Sequence, residues 1–402
     1  MGTSLTIFRF RGISVRVHWS FLLILAYGAF AYSAAAATPL LGAIYGVITI
    51  VLLFACVTLH EFGHALVARH YGIGVRDITL LPIGGVANLQ RLPENPGQEL
   101  LIAIAGPLVN FALALLLLPF TLLAIGWEMR AGSMQPGFMQ ILQNLQTPGF
   151  GNLLLYLFAT NILLGAFNLL PAFPMDGGRI LRALLAMALN YVQATRIAVL
   201  VGRMMAVLLA MWGIFLWTVG GGGIILLLIA FFVYVGGGAE REAVESRAVL
   251  RHHQASEALP TDAVNLYASE ELSRAVDLIM NSYQTDFAVF DLGGSFIGVL
   301  TRARLIHALR EQGPDARVVD VMLPAAEIPV CAPDTSLADV WEKMTTSGKR
   351  VAAVFEGHKF LGLITLDDIA EVLHVLAAAM QGQGRRAAGG MGQQVGESVQ
   401  DA

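Results

Sequence analysis

Leu59-His60-Glu61-Phe62-Gly63-His64-Ala65 lies inside a stretch that is otherwise apolar from about residue 41 to 68. Two imidazoles four positions apart share one face of a helix, so both can reach a single ion. Glu61 follows the first, placed to take a proton from a water held there. Charged side chains in the middle of a spanning helix cost roughly 2.5–3.5 kcal/mol each on insertion scales. The helix therefore needs a compensating use for these residues. Metal coordination is one; a satisfied polar cluster without metal is the plainer alternative.

A catalytic zinc takes three protein ligands and keeps one position open. Asp176 is the candidate third ligand. It lies in Asn168-Leu169-Leu170-Pro171-Ala172-Phe173-Pro174-Met175-Asp176-Gly177-Gly178, at the end of the fourth apolar stretch. Two prolines and two glycines break the helix there, and irregular backbone at membrane depth is tolerated where it lines a cavity. The competing role for Asp176 is a cap on the next helix.

The 402 residues are 56% hydrophobic and 13% charged, about half the charged content of a soluble domain. Mean hydropathy is +0.66. Six stretches, roughly 19–37, 41–68, 99–126, 151–170, 197–219 and 223–237, approach the about 20 residues a spanning helix needs. A segment over about 180–192, interrupted by Arg182, reads as a half-helix or an interfacial helix. Arg9, Arg11 and Arg16 precede the first span; Arg69, Arg76 and Arg91 follow the second; Arg179, Arg182 and Arg196 follow the fourth; Arg241, Arg247 and Arg251 follow the sixth. Arginine marks the cytoplasmic side, so a multi-pass chain in the inner or plasma membrane is predicted, with both termini cytoplasmic. The net charge of −4 argues against a nucleic-acid partner. Cys56 and Cys331 fall in segments of opposite character, and no disulfide is expected. No cleavable signal peptide is evident.

Charges return after about residue 240, and 262–376 repeats with a period of about 65 residues. Each copy reads helix, strand, strand, helix: Leu272 to Met280, Phe287 to Phe290, Gly298 to Thr301 and onward; then Leu337 to Met344, Val351 to Phe355, Gly362 to Thr365 and onward. That is an α+β pattern with one sheet face buried per copy. The Gly-, Gln- and Arg-rich tail lacks periodicity and is expected to be disordered.

The metal motifs resemble the site-2 protease family of intramembrane zinc metalloproteases. The resemblance rests on HEFGH at 60–64, on N-x-x-P-x-x-P-x-D-G from Asn168 to Gly177, and on Ala105-Gly106-Pro107-Leu108-Val109-Asn110 at the third span. Pro82-Ile83-Gly84-Gly85-Val86 is similar to the family's loop after the metal helix. The repeat resembles a pair of cystathionine-β-synthase-type (CBS) modules, found in one branch of the family. Gly362, Thr365 and Asp368 match a G-x-x-T-x-x-D pattern whose Thr and Asp contact an adenine nucleotide; the first copy has Gly298 and Thr301 but Arg304 in the acidic place.

The resemblance implies a polytopic α-helical membrane domain of about six spans followed by an α+β tandem CBS domain. The boundaries read as 1–238 for the metalloprotease, 239–261 for a linker, 262–312 and 313–378 for the modules, and 379–402 for the tail. It implies Zn2+ on His60, His64 and Asp176, Glu61 as general base, and Asn168 as a donor to the oxyanion. ATP, ADP or AMP is expected at Thr365, Asp368 and Thr301; a pair that only dimerises or docks is the alternative. The expected substrate is a transmembrane protein, for instance a single-span regulator such as an anti-sigma factor, and a homodimer through the modules is expected. The stretch Thr79 to Leu92 reads as a hairpin or irregular strand whose edge pairs with an extended substrate, or as a loop that only shields the site. His18, His70, His252, His253 and Cys56 are expected to be structural or solvated. The rival functions are a CBS-regulated transporter or channel, which needs paired ionisable residues on several spans, a soluble-type protease merely anchored by helices, and an inactive scaffold.

Overall fold

Two strands come before any helix. β1 (Ser4–Phe10) and β2 (Ile13–His18) pair antiparallel, with Phe10 opposite Ile13. Between them φ is +46° at Arg11 and +81° at Gly12, the pattern of a two-residue turn whose twist matches the strands. The structure, a computed structural model, describes residues 4–82, 84–89, 93, 95–130, 147–260, 262–282 and 284–376. The expected disordered tail, Arg91 and the last residues of the Thr79–Leu92 stretch lie outside the described residues.

After β2 come α1 (Phe21–Ala35), α2 (Pro39–His70), β3 (Val75–Leu81) and β4 (Gly84–Leu89). β2 and β3 run parallel and β3 and β4 antiparallel, so the sheet order is β1-β2-β3-β4 with β1 and β4 at its edges. Ile13, Val15, Ile78 and Leu80 of the sheet share a core with Phe54, Phe62, Ala65 and Ala68 of α2. The sheet therefore packs on the half of α2 that carries the two histidines.

The helices α3 (Pro96–Arg130), α4 (Phe150–Asn168), α5 (Asp176–Ala186), α6 (Tyr191–Thr218) and α7 (Ile224–Arg251) follow. Among the described residues five helices, α2, α3, α4, α6 and α7, are long and apolar enough to cross a membrane. The span expected at 19–37 is the shorter α1. Its 15 residues rise about 22 Å at 1.5 Å each, against about 30 Å of hydrocarbon. Pro39 opens α2 and Thr38 is extended (φ −117°), because a residue before proline avoids the helical region; the apolar run breaks there. α1 and α2 touch through small residues: a Cβ on Gly46 would lie 2.1 Å from the Gly28 carbonyl oxygen, the close approach that glycine permits between membrane helices. Leu22, Leu115, Leu123, Trp212 and Phe231 are exposed, a face suited to lipid and ill suited to water.

Two elements differ from expectation. The segment interrupted by Arg182 is a helix of 11 residues that begins and ends earlier than expected, at Asp176 and Ala186; at 1.5 Å per residue it rises about 16 Å, a half-helix rather than a span. The stretch read as a linker, 239–261, is helical in its first part. α7 continues through Gly236-Gly237-Gly238 to Arg251. A Cβ at Gly236 would sit 2.8 Å from Pro174 Cδ, so that glycine serves a close contact rather than a break.

The chain divides into two compact units that meet at Val244 and Glu245. In the second unit, β5 (Leu266–Tyr267), α8 (Leu272–Asn281), β6 (Phe287–Phe290), β7 (Phe296–Leu300), α9 (Arg302–Glu311), α10 (Val318–Val321) and β8 (Leu323–Pro324) form the first copy. β9 (Val330–Cys331), α11 (Leu337–Ser347), β10 (Val351–Glu356), β11 (Lys359–Thr365) and α12 (366–376) form the second. The repeat is visible in the pairing. β5 and β6 are parallel and β6 and β7 antiparallel, as are β9 and β10, then β10 and β11; each antiparallel pair slips register at Phe290 or at Phe355. The two sheets share a core of Ala288, Val299, Val351 and Leu363, edged by Phe290, Phe296, Phe355 and Phe360. Phe296 and Phe360, one from each copy, stack at 4.7 Å.

Candidate metal centre

His60 and His64 lie one turn apart on α2, and Asp176 is the first residue of α5; all three are buried. The Nε2 atoms are 3.1 Å apart, and each faces Asp176 Oδ2, at 3.3 Å from His60 and 3.2 Å from His64. Zinc bonds of about 2.0–2.2 Å in a tetrahedron place neighbouring donors about 3.3–3.6 Å apart, so this triangle is within a few tenths of an ångström of one made for the ion. Asp176 Oδ2 is buried without a hydrogen-bond partner. A lone acceptor and two imidazoles converging on one point fit a divalent cation, and among the described residues these three form the one such group of donors. Asp176 is not the cap of α5: Met175 holds that position, and no side chain caps the helix.

The backbone of α3 shapes the space. A Cβ on Gly106 would lie 2.2 Å from His64 Nε2 and 2.7 Å from His60 Cε1, and a Cβ on Gly63 would lie 2.7 Å from the Ala105 carbonyl oxygen. The absence of both side chains lets α2 and α3 meet main chain to ring. His64 Nδ1 donates to the Ile102 carbonyl at 2.7 Å, which leaves the lone pair on Nε2, as ligation requires. His60 Nδ1 faces the buried Asn110 at 3.1 Å.

Glu61 is half-buried beside this triangle, and β4 crosses it: a Cβ on Gly85 would be 2.7 Å from Glu61 Cγ. Asn168 ends α4, half-buried, and residues 169–175 carry the chain from it to Asp176. In the second unit, Thr301 caps α9, its hydroxyl accepting from the Arg304 amide, while the Arg304 guanidinium donates to the carbonyls of Val321 and Met322. Thr365 and Asp368 serve each other: Thr365 N–H donates to Asp368 Oδ2 at 2.7 Å, and Asp368 N–H donates to Thr365 Oγ1 at 3.1 Å. This is a capping box at the start of α12.

The Peptidase family M50 model matches residues 48–212, which contain all three converging ligands, and the CBS-domain model matches residues 318–375, from α10 through the second copy. A zinc metalloprotease of Methanocaldococcus jannaschii is 32% identical over 379 residues, 94% of this chain and 98% of that protein. The chain belongs to peptidase family M50. The peptidase is also 30% identical to Rip3 of Mycobacterium tuberculosis over 92% of this chain and 93% of the relative. The solved site-2 protease of Methanocaldococcus jannaschii is 35% identical, covers 59% of this chain and 95% of its own, and superimposes with a TM-score of 0.41. The peptidase is thus a zinc metalloprotease of family M50 that carries a CBS domain, and five of its described helices are long and apolar enough to cross a membrane.

Sequence reasoning passed over a second group in this peptidase. Arg182, on α5 with Asp176, is 1% exposed. Its Nε donates to Glu99 Oε1 of α3 at 2.9 Å, its Nη1 to Glu240 Oε1 of α7 at 2.5 Å, and its Nη2 again to Glu99. The guanidinium lies between the rings of Phe173 and Tyr191, 4.9 Å from each, and the Tyr191 hydroxyl donates to Glu99. One buried cation thus ties the helix that begins with Asp176 to three neighbours. The available signal was an arginine in an apolar segment, which demands an acidic partner somewhere on another helix.

Proposed function

We propose that this metalloprotease hydrolyses peptide bonds in or next to transmembrane segments of membrane proteins. The supporting observation is that His60, His64 and Asp176 converge against α2, a helix of 32 residues that is long and apolar enough to cross a membrane. A centre buried on such a helix serves substrates that share the bilayer. The arginine pattern supports cytoplasmic termini.

His60, His64 and Asp176 would hold zinc. When bound, zinc makes water acidic enough to lose a proton near neutral pH and polarises the scissile carbonyl. Glu61 takes the proton from the attacking water and passes it to the leaving nitrogen. Asn168 donates to the oxyanion. A transmembrane helix hides its carbonyls in hydrogen bonds, so the substrate must first unwind. The outer edge of β4, an edge strand among the described residues that crosses Glu61 at Gly85, receives the extended segment by strand addition. A single-span regulator such as an anti-sigma factor suits this requirement.

The CBS pair binds an adenine nucleotide through Thr365, Asp368 and Thr301, adjusts access to the site, and joins two copies of the chain. No nucleic-acid partner is involved. Purified chain and Glu61→Gln, both loaded with zinc, are compared on single-span membrane proteins. Zinc-dependent cleavage by the native chain alone is expected. Cleavage by zinc-bound Glu61→Gln at the native rate would remove Glu61 from the chemistry. Calorimetry with ATP, ADP and AMP tests the second unit, and absence of binding by all three removes the regulatory role.

A further inference from the structure

Each histidine of the centre presents Nε2 inward and has a partner at Nδ1, but the two partners differ in kind. For His64 the partner is the Ile102 carbonyl, which can only accept. For His60 it is the carboxamide of Asn110, which is donor at one end and acceptor at the other. In the structure the amide nitrogen faces His60 Nδ1 at 3.1 Å, while Asn110 Oδ1 is buried without a partner. That orientation suits a ring whose proton sits on Nε2, the atom that has to offer its lone pair. Half a turn of the carboxamide brings Oδ1 to the same point, where it accepts from Nδ1–H.

We propose that Asn110 selects the tautomer of His60: turned with Oδ1 toward Nδ1, it accepts a hydrogen bond from Nδ1–H, which holds the ring proton there and leaves the Nε2 lone pair free as a ligand. Three observations converge. Asn110 is 1% exposed, so water cannot substitute for it. It lies one turn after Gly106, the residue whose missing side chain admits both rings, so a single face of α3 both makes the space and sets the proton. His64 already has the acceptor that ligation demands, and His60 lacks one unless Asn110 supplies it. A partner that orients a ligating histidine is commonly worth about 10–100-fold in metal affinity. Asn110 is a positioning residue; it acts through His60.

His60 as a ligand is a premise shared with the proposed function, so the experiment carries a control for it. Full-length chain in detergent is stripped of metal and titrated with zinc against a chromophoric chelator. Native chain, His60→Ala, Asn110→Leu and Asn110→Asp are compared, and the Co2+ absorption spectrum of each is recorded. Native binding with loss in His60→Ala upholds the premise; zinc held equally by both overturns the premise and the proposal with it. Given the premise, Asn110→Leu, which keeps the branched outline but offers no acceptor, is expected to bind zinc about 10–100-fold more weakly. Asn110→Asp, an acceptor of the same shape, is expected to bind at least as tightly as the native chain and to keep its Co2+ spectrum. A residue that merely fills space gives the reverse order, because leucine fills and a buried aspartate disturbs; that order, or native affinity in Asn110→Leu, overturns the proposal. Should Asn110→Leu not fold, the aspartate variant decides alone: loss of zinc there refutes the role.

Discussion

Replacing Gly106 with alanine should empty the metal centre. Carbon contacts are comfortable at about 3.5–4.0 Å. The new methyl would begin 2.2 Å from His64 Nε2 and 2.7 Å from His60 Cε1, shortfalls of roughly 1.3 and 0.8 Å from the nearer limit. Metal sites tolerate about 0.2 Å in ligand placement, so relief by moving the rings overshoots that tolerance several-fold. Relief by moving α3 instead breaks its contact with α2 at Gly63. Overpacking of this kind costs about 1–3 kcal/mol, whereas Gly→Ala inside a helix normally gains about 0.5–1 kcal/mol. Gly126, in the same helix with nothing within 4 Å of its would-be Cβ, supplies the comparison. Zinc content after gel filtration and zinc affinity by chelator competition are the measurements. Gly106→Ala should lose more than the roughly 10–100-fold typical of an outer-sphere change, while Gly126→Ala keeps native zinc and melts no lower. Stoichiometric, native-affinity zinc in Gly106→Ala would mean that α3 does not press on the two rings.

Arg182→Met should lower stability by about 3–5 kcal/mol, because it leaves Glu99 buried and unpaired; adding Glu99→Gln should recover part of that loss, which a double-mutant thermal series reads directly. Removal of the Asp368 carboxylate in Asp368→Ala takes the acceptor from the Thr365 amide and should cost about 1 kcal/mol as a lost cap, seen as faster amide exchange in the first turn of α12. Burial pushes the Asp286 carboxyl above its ordinary value of 3.8, and the nearby Asp367 adds to that, against the Arg302 amide, Thr285 hydroxyl and Arg350. The folded chain then holds a proton that the unfolded chain has released, so this group's contribution falls as pH rises from 3.8 through the folded value. Asp286→Asn should therefore raise the melting temperature of the second unit at pH 7 and lose that advantage in acid; an advantage that grows in acid would contradict the sign.

Much of this arrangement could be read before any coordinates, and the reason is local. His60, Glu61 and His64 announce themselves through helical spacing inside an apolar run, and the repeat after residue 262 announces itself through its period. Asp176 required only that its proline- and glycine-rich segment stand out. The contact of Asn110 with His60 spans 50 residues and leaves no periodic trace; only the packing of α2 on α3 creates it. Arg182 looked like an interruption because Glu99 and Glu240 are 83 and 58 positions away. The sixth apolar stretch looked finished at 237 because charges return soon after it, and composition cannot show that the helix runs on to Arg251 past a glycine that lets a proline ring lie against it.

The meeting of α2 and α3 through Gly63 and Gly106 has a consequence for how such a catalyst ages. Where backbone itself forms the wall of the reaction chamber, the outward surface is free to drift with the lipids of each host, and the chemistry need not follow. Substitution is cheap on the hull and ruinous at two hydrogen-bearing α-carbons.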